Sequence, residues 1–194
     1  MSKLLKLIAV AALAIALFSC SKSEKPEAAP DTTLSPDFTQ QSSMLEGALK
    51  DDPTNVSLLV KLGNLYFDWG QQEVDKGANE GAAAKWTKGI EYYGRALEKD
   101  EKNVDVRTDM GSLMRYLGKT DEALAQFRKG VEIDPKHAQA RINLILTLAE
   151  GKQDFKGAAS EYDSMVKAIP EQANNLALKQ EVETYREKAK GVKK

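Results

Sequence analysis

Cysteine and histidine each occur once in the 194 residues. One cysteine excludes an internal disulfide, a zinc site built on two or more thiolates and a C-x-x-C-H haem attachment. One histidine excludes a multi-histidine metal centre within one chain. No charge sign dominates, with 28 Lys+Arg against 29 Asp+Glu and a net charge of −1. A general nucleic-acid surface needs a basic excess, so no nucleic-acid partner is expected. Catalytic signatures are missing too. There is no G-x-S-x-G elbow, and the Gly118-Lys119-Thr120 triplet has Leu113 where a phosphate loop needs its first glycine. Residues 75–81 only superficially suggest a calcium loop, because Gly77 occupies a ligand place and no Glu follows at the required spacing. His137, just past Asp134-Pro135, reads as a linker or surface residue. The expectation is a chain with no catalytic residues, no metal and no cofactor. Its 42% hydrophobic content is enough for a core.

The longest apolar run extends from Leu7 to Phe18. That is short of the roughly 20 residues a membrane-spanning helix needs and fits the apolar region of a secretory signal, with Lys3 and Lys6 ahead of it. The run ends in Leu17-Phe18-Ser19-Cys20, which resembles a bacterial lipobox, with Phe18 an unusual occupant of its tolerant position. That resemblance implies cleavage before Cys20, lipid on its sulfur and on the new amino group, and a membrane partner through the acyl chains. Each buried CH₂ is worth about 0.8 kcal/mol, so two or three chains anchor stably. Ser21 follows where enteric bacteria place an inner-membrane retention Asp. The expected location is therefore the periplasmic side, with the outer membrane favoured. Residues 21–34 hold two prolines, several charges and little apolar surface, and read as a flexible tether. Loss of Lys3 and Lys6 with the signal leaves 26 basic groups, two fewer than 28, against 29 acidic ones.

Beyond the tether the sequence repeats. Gly111 and Ile145 stand at i and i+34, as do Tyr93 and Phe127, Ala96 and Gly130, and Leu97 and Val131. Pro135 and Pro170 stand at i and i+35, as do Phe127 and Tyr162, so the last unit carries one extra residue near its internal turn. Residues 104–137 contain Met110-Gly111 and Met114, then Gly118, then Ala123, Phe127, Gly130 and Pro135. Residues 138–171 contain Leu144, Leu148, Ala158, Tyr162, Met165 and Pro170. Residues 56–103 contain Leu62-Gly63, Tyr66, Gly89, Tyr93, Ala96 and Leu97, with Glu101 in place of the exit proline. Period and residues together resemble the tetratricopeptide repeat, over about residues 36–190. The resemblance implies an all-α, right-handed solenoid of antiparallel helix pairs.

Departures from the pattern are specific. Ile145 stands where a small residue is usual, so packing there should be looser or shifted. Gly63 and Gly111 stand at i and i+48, which exceeds the period by fourteen, and the excess falls in residues 71–86. It either lengthens both helices by two turns, with residues 77–81 as the turn, or forms a disordered loop. Residues 35–53 read as a half repeat, with Ser35-Pro36 as the helix start and Leu45, Ala48, Leu49 and Pro53 matching a second helix. Residues 172–190 read as a capping helix built on Leu176, Leu178, Val182 and Tyr185, and residues 191–194 as a basic tail. Trp69 and Trp86 flank the insertion and read as packing residues rather than a sugar platform.

In the tetratricopeptide family, first helices line a concave groove that holds a peptide or partner segment. Carried over by motif, the groove is Asn64, Phe67 and Asp68 in the first unit, with Ser57, Val60 and Lys61 beside them. The second unit gives Asp105, Thr108, Asp109, Ser112, Arg115 and Tyr116. The third gives Gln139, Ile142, Asn143 and Leu146, with Glu150. Asn64 and Asn143 can each donate to and accept from a peptide backbone, and Phe67 and Tyr116 offer apolar anchors. One family version clamps a terminal carboxylate with Lys, Asn and Arg. Here Val60 replaces its first Lys and Asp105 and Asp109 stand nearby, which points to a basic or mixed ligand. The implied function is a lipid-anchored adaptor that binds a partner protein or peptide, with assembly of envelope or cytochrome c complexes as the specific role. The alternative is a structural subunit of an envelope complex that acts by self-association.

Overall fold

Amides at a helix start need acceptors, and this chain supplies them with Asn, Asp and its one His. The computed structural model describes residues 37–191. The signal, Cys20, the tether 21–34 and residues 192–194 lie outside the described residues. Helix α1 (Phe38–Asp51) begins at Asp37, whose carboxylate accepts from Gln40 N at 2.9 Å. The cap of α1 is thus Asp37, and the expected helix start at Ser35-Pro36 lies outside the described residues. Helices α2 (Val56–Asp75), α4 (Val104–Tyr116), α6 (Ala138–Leu146) and α8 (Leu176–Ala189) start at Asn55, Asn103, His137 and Asn175. Each of these side chains accepts from the amide three residues on, at 3.1–3.2 Å. His137 is therefore a capping residue, working through Nδ1. Helices α3 (Asn79–Leu97), α5 (Thr120–Ile133) and α7 (Phe155–Ala168) complete the set. Among the described residues there are eight α-helices and no strand, and no helix long and apolar enough to cross a membrane.

Each helix packs on the next in chain order, and α4 also reaches α6. The helix pairs close through a small residue facing a large one. A Cβ at Gly63 would fall 2.3 Å from Tyr93 Cε1, and one at Gly111 would fall 2.7 Å from Phe127 Cε1. Tyr93, Phe127, Leu62 and Leu113 are almost fully buried. Burying such a side chain contributes about 1.5–3 kcal/mol, and one hairpin has too few of them to stand alone. Stacking joins them into two clusters, one around α2–α4 and one around α5–α8, with Met114 packed against both.

The additional residues of the first unit are helical except at a turn of residues 76–78. That turn is shorter than residues 77–81, because Asn79, Glu80 and Gly81 already lie in α3. Gly77 (φ 76°) takes the left-handed position there, as Gly118 (φ 73°) does in the next unit. Gly77 follows Gly63 at i+14 where Gly118 follows Gly111 at i+7, and Tyr93 follows Gly77 at i+16 where Phe127 follows Gly118 at i+9. Each helix has thus gained seven residues, about two turns. The added turns repeat the small-on-large contact: Trp86 lies against Gly70 and donates its indole N–H to Phe67 O at 3.3 Å. Both tryptophans pack. Trp69 stacks with Tyr66 at 5.7 Å and with Phe38 at 5.8 Å.

In the last unit Gln153 (φ 55°) takes the left-handed turn position, at i+35 from Gly118. The extra residue lies within Thr147–Gly151, a π-helical turn that follows α6. A π turn absorbs one added residue without breaking the helix. Ile145 is fully buried just before it, so a bulky residue is accommodated where the other units have glycine. Pro170–Asn174 forms a short 3₁₀ turn into α8. Leu178, Val182 and Tyr185 of α8 are buried, but Leu176 is 73% exposed and does not join the core. It precedes the first turn that faces α7.

Candidate functional site

The first helices α2, α4 and α6 carry the residues singled out for the groove. The structure gathers Asn64, Phe67 and Asp68 of α2 with Asp109 of α4 around a pocket of about 240 Å³. Its remaining wall is Tyr93 of α3, which the sequence assigned to packing alone. The Tyr93 hydroxyl donates to Asn64 Oδ1 at 2.6 Å. That fixes the Asn64 amide and leaves its NH₂ group without a partner among the described residues. The signal was available: unlike Phe127 in the next unit, Tyr93 carries a hydroxyl, and a buried hydroxyl needs a partner.

The pocket is electrostatically negative. Burial, then Asp105 and Asp68 nearby, push the Asp109 carboxyl up to about 6, and His137 acts in the opposite direction. Burial also raises the Asp68 carboxyl. Burial raises the Tyr93 phenol, with Asp109 and Asp68 adding to it, so it stays a neutral hydrogen-bonding group. Asp105 is exposed and lies 2.9 Å from His137 Nε2. Because His137 Nδ1 accepts from Ala140 N, the proton of a neutral ring sits on Nε2 and points at Asp105. Arg115 pairs with Glu150 at 3.4 Å and lies over the Tyr116 ring. The Arg115 charge is thus already compensated by Glu150.

Tyr116 is 41% exposed and continues the wall towards α3. Its ring meets Trp86 at 5.0 Å and Phe67 edge-on at 6.0 Å. Ser57 and Lys61 are exposed on α2, whereas Val60 is half-buried and packs on the core. On α6, Gln139 is exposed and Ile142 and Leu146 are half-buried against the core.

Three of the expected groove residues face inward instead. Thr108, Ser112 and Asn143 are all buried. Thr108 Oγ1 donates to Val104 O at 2.7 Å, and Ser112 Oγ donates to Thr108 O at 3.0 Å. Asn143 Nδ2 donates to Ser112 Oγ at 3.0 Å, and its Oδ1 accepts from Gln139 at 2.9 Å. Asn143 thus ties α6 to α4 and has no free amide for a peptide. The physical reason is the direct approach of α4 to α6, which closes over these short polar side chains. The part that stays open lies nearer α2.

No family model matches the sequence, and no curated protein matches it. Solved structures do. A tetratricopeptide repeat protein from Parabacteroides merdae aligns with a TM-score of 0.61 at 21% identity, over 77% of this chain and 54% of its own. MamA of MSR-1 aligns at 0.56 and 17% identity, over 70% and 69%. The first tetratricopeptide domain of Spaghetti (RPAP3), bound to the HSP90 peptide SRMEEVD, aligns at 0.51 and 16% identity, over 67% and 94%. At these identities the likeness concerns the fold: the chain is an all-α tetratricopeptide-repeat solenoid.

Proposed function

We propose that this protein is a non-catalytic adaptor that holds a segment of a partner protein in the groove between α2 and α4. The observation that carries the reading is the pocket of Asn64, Phe67, Asp68, Tyr93 and Asp109. It combines carboxylates, one free amide group and aromatic walls, an arrangement that suits a segment bearing a Lys or Arg side chain. The RPAP3 domain, of the same fold, was solved with a peptide bound, which supports peptide recognition as the activity. That peptide carries Glu-Glu and a terminal Asp, and Asp68 and Asp109 would repel such a sequence here. In the same reading Cys20 carries the lipid, the tether 21–34 spaces the repeats from the membrane, and the site of action is the periplasmic face, with the outer membrane favoured. The specific role is assembly of envelope complexes, cytochrome c complexes among them.

The test is crosslinking of the native lipoprotein followed by mass spectrometry, beside an Asn64→Ala, Tyr116→Ala variant. Loss of particular crosslinked partners in the variant is the expected result. Recovery of the same partners in the same amounts refutes groove binding. Anchoring is tested separately: Cys20→Ala should no longer take up labelled fatty acid, and continued incorporation would refute lipidation at that residue.

A further inference from the structure

A second and larger pocket, about 510 Å³, lies between α1 and α3. Tyr92 and Tyr93 are consecutive, yet Tyr93 borders the groove and Tyr92 borders this pocket. Leu49, Pro53 and the Tyr92 ring give it apolar walls, and Lys50, Lys88 and Arg95 bring three cations to it.

Its one carboxylate, Glu46, is already occupied. Glu46 accepts from Tyr66 at 2.8 Å and from Tyr92 at 2.9 Å, with Lys88 Nζ at 3.7 Å. Lys88 also donates to the Tyr66 hydroxyl at 3.2 Å. Burial raises the Glu46 carboxyl, but these hydrogen bonds and the Lys88 charge outweigh it, and it titrates below its usual value. The network neutralises itself, and neither Lys50 nor Arg95 forms an ion pair among the described residues. Lys50 has no side-chain partner among the described residues. Arg95 donates one N–H to Pro53 O at 3.0 Å and lies over the Tyr92 ring at 5.8 Å. Its guanidinium is thereby held in place with most of its five donors unused, a geometry suited to two-point binding of a carboxylate.

The neighbours narrow the class of ligand. Asp51, Asp52, Glu91 and Glu98 are all exposed and flank the cations along α1 and α3. A flat anionic surface would meet these carboxylates together with the cations. A single side chain on an extended segment can pass between them.

We infer that the pocket between α1 and α3 binds the carboxylate side chain of an acidic peptide segment of a partner, on Arg95 and Lys50, with the segment lying across Leu49, Pro53 and Tyr92. This site is independent of the groove and of opposite polarity, so one adaptor can hold a basic segment and an acidic one together.

The probe is a short extended peptide with one glutamate among uncharged residues, fluorescently labelled and blocked at both ends so that the side-chain carboxylate is its one charge. It is titrated by anisotropy against the full chain in detergent. Saturable binding is expected, weakened about tenfold or more by Lys50→Glu and by Arg95→Gln, which corresponds to at least about 1.4 kcal/mol. Lys50→Glu removes no recorded contact, so its result does not depend on whether Arg95→Gln loosens the loop at Pro53. Asp68→Asn, in the groove, should leave binding of this peptide unchanged. Absence of saturable binding, or equal affinity in both pocket variants and wild type, overturns the proposal. Displacement of the peptide by inorganic phosphate or glycerol phosphate at concentrations lower than those of peptide needed to bind would also overturn it, since the site would then be a phosphate or headgroup site.

Discussion

Gly63 offers the most direct test of how the helix pairs close. A methyl group there would sit 2.3 Å from Tyr93 Cε1 and 2.4 Å from Cδ1. Carbon atoms in favourable contact stand about 3.5–4.0 Å apart, so the ring or the helix must retreat by about 1 Å or more. Neither has room. Tyr93 is 1% exposed, and its hydroxyl is held by Asn64. Overpacking of this kind costs about 1–3 kcal/mol, against which alanine returns up to about 1 kcal/mol of helix propensity. Gly94 is the internal control. It lies on α3 with nothing within 4 Å of its would-be Cβ, so Gly94→Ala collects the propensity gain alone. In a domain of this size 1 kcal/mol moves the melting midpoint by about 2–4 °C. Thermal unfolding by circular dichroism should therefore show Gly63→Ala melting several degrees below wild type and Gly94→Ala slightly above it. The double variant Gly63→Ala, Tyr93→Leu should lose less than the two single losses added together, because the smaller side chain vacates the space the methyl needs. If Gly63→Ala melts as high as Gly94→Ala, or if the double variant is strictly additive, the close-approach reasoning is wrong. Gly111→Leu, against Phe127, should likewise fall by several degrees.

The remaining outcomes follow from the charges of Asp109, Glu46 and Arg141. The Asp109 carboxyl is pushed up to about 6, so between its unfolded value near 3.8 and that point the folded chain holds a proton the unfolded chain has released. The cost to stability therefore sets in above about pH 3.8 and is complete above about pH 6, and Asp109→Asn should raise the melting midpoint at neutral pH but not in acid. The same variant should weaken binding of a lysine-bearing peptide, whose affinity for wild type should rise from about pH 5 to pH 7 as Asp109 ionises. Glu46 has the opposite sign. Its lowered carboxyl contributes stability above about 4.5 that is lost as pH falls through the lowered value, and Glu46→Gln should flatten that acid limb in a pH series of melts. Arg141 is buried, donates to Pro135 O at 2.7 Å and pairs with Glu161, joining α6 to α7. Arg141→Leu strands that carboxylate and should cost about 3 kcal/mol in denaturant unfolding, a loss that Arg141→Leu with Glu161→Leu should largely recover.

What could be read in advance was whatever leaves a pairing of sizes. Gly63 and Gly111 hold the same place in their units, and Tyr93 and Phe127 stand at i and i+34, because a small residue must face a large one wherever helices close. The seven-residue lengthening of α2 and α3 was legible as a length, but only the structure locates its turn at residues 76–78. Thr108, Ser112 and Asn143 were misplaced because short polar side chains suit a solvated groove and an inter-helix bond equally well. Thr108 and Ser112 satisfy themselves on their own helix, and nothing in their spacing says that α6 covers them. The pocket between α1 and α3 was missed because it belongs to second helices, and its members are scattered from Glu46 to Arg95. The extra residue of the last unit could be counted, but its absorption in a π turn could not be distinguished from a longer loop.

The paired lengthening of α2 and α3 has a mechanical consequence. Seven residues add about 10 Å to each helix, while α4 and α5 keep the ordinary length, so the first unit stands above the second as a step. Tyr116, the last residue of α4, fills the inside corner of that step against Trp86 and Phe67. A uniform array of repeats lets a bound chain slide by one unit and find the same surroundings. Here a chain lying along the groove meets a wall at one end and finds no second wall one unit further on. Under the groove binding proposed above, the step would act as a ruler stop: the height of one helix pair, as well as the chemistry of the groove, would fix where along its length a partner segment comes to rest.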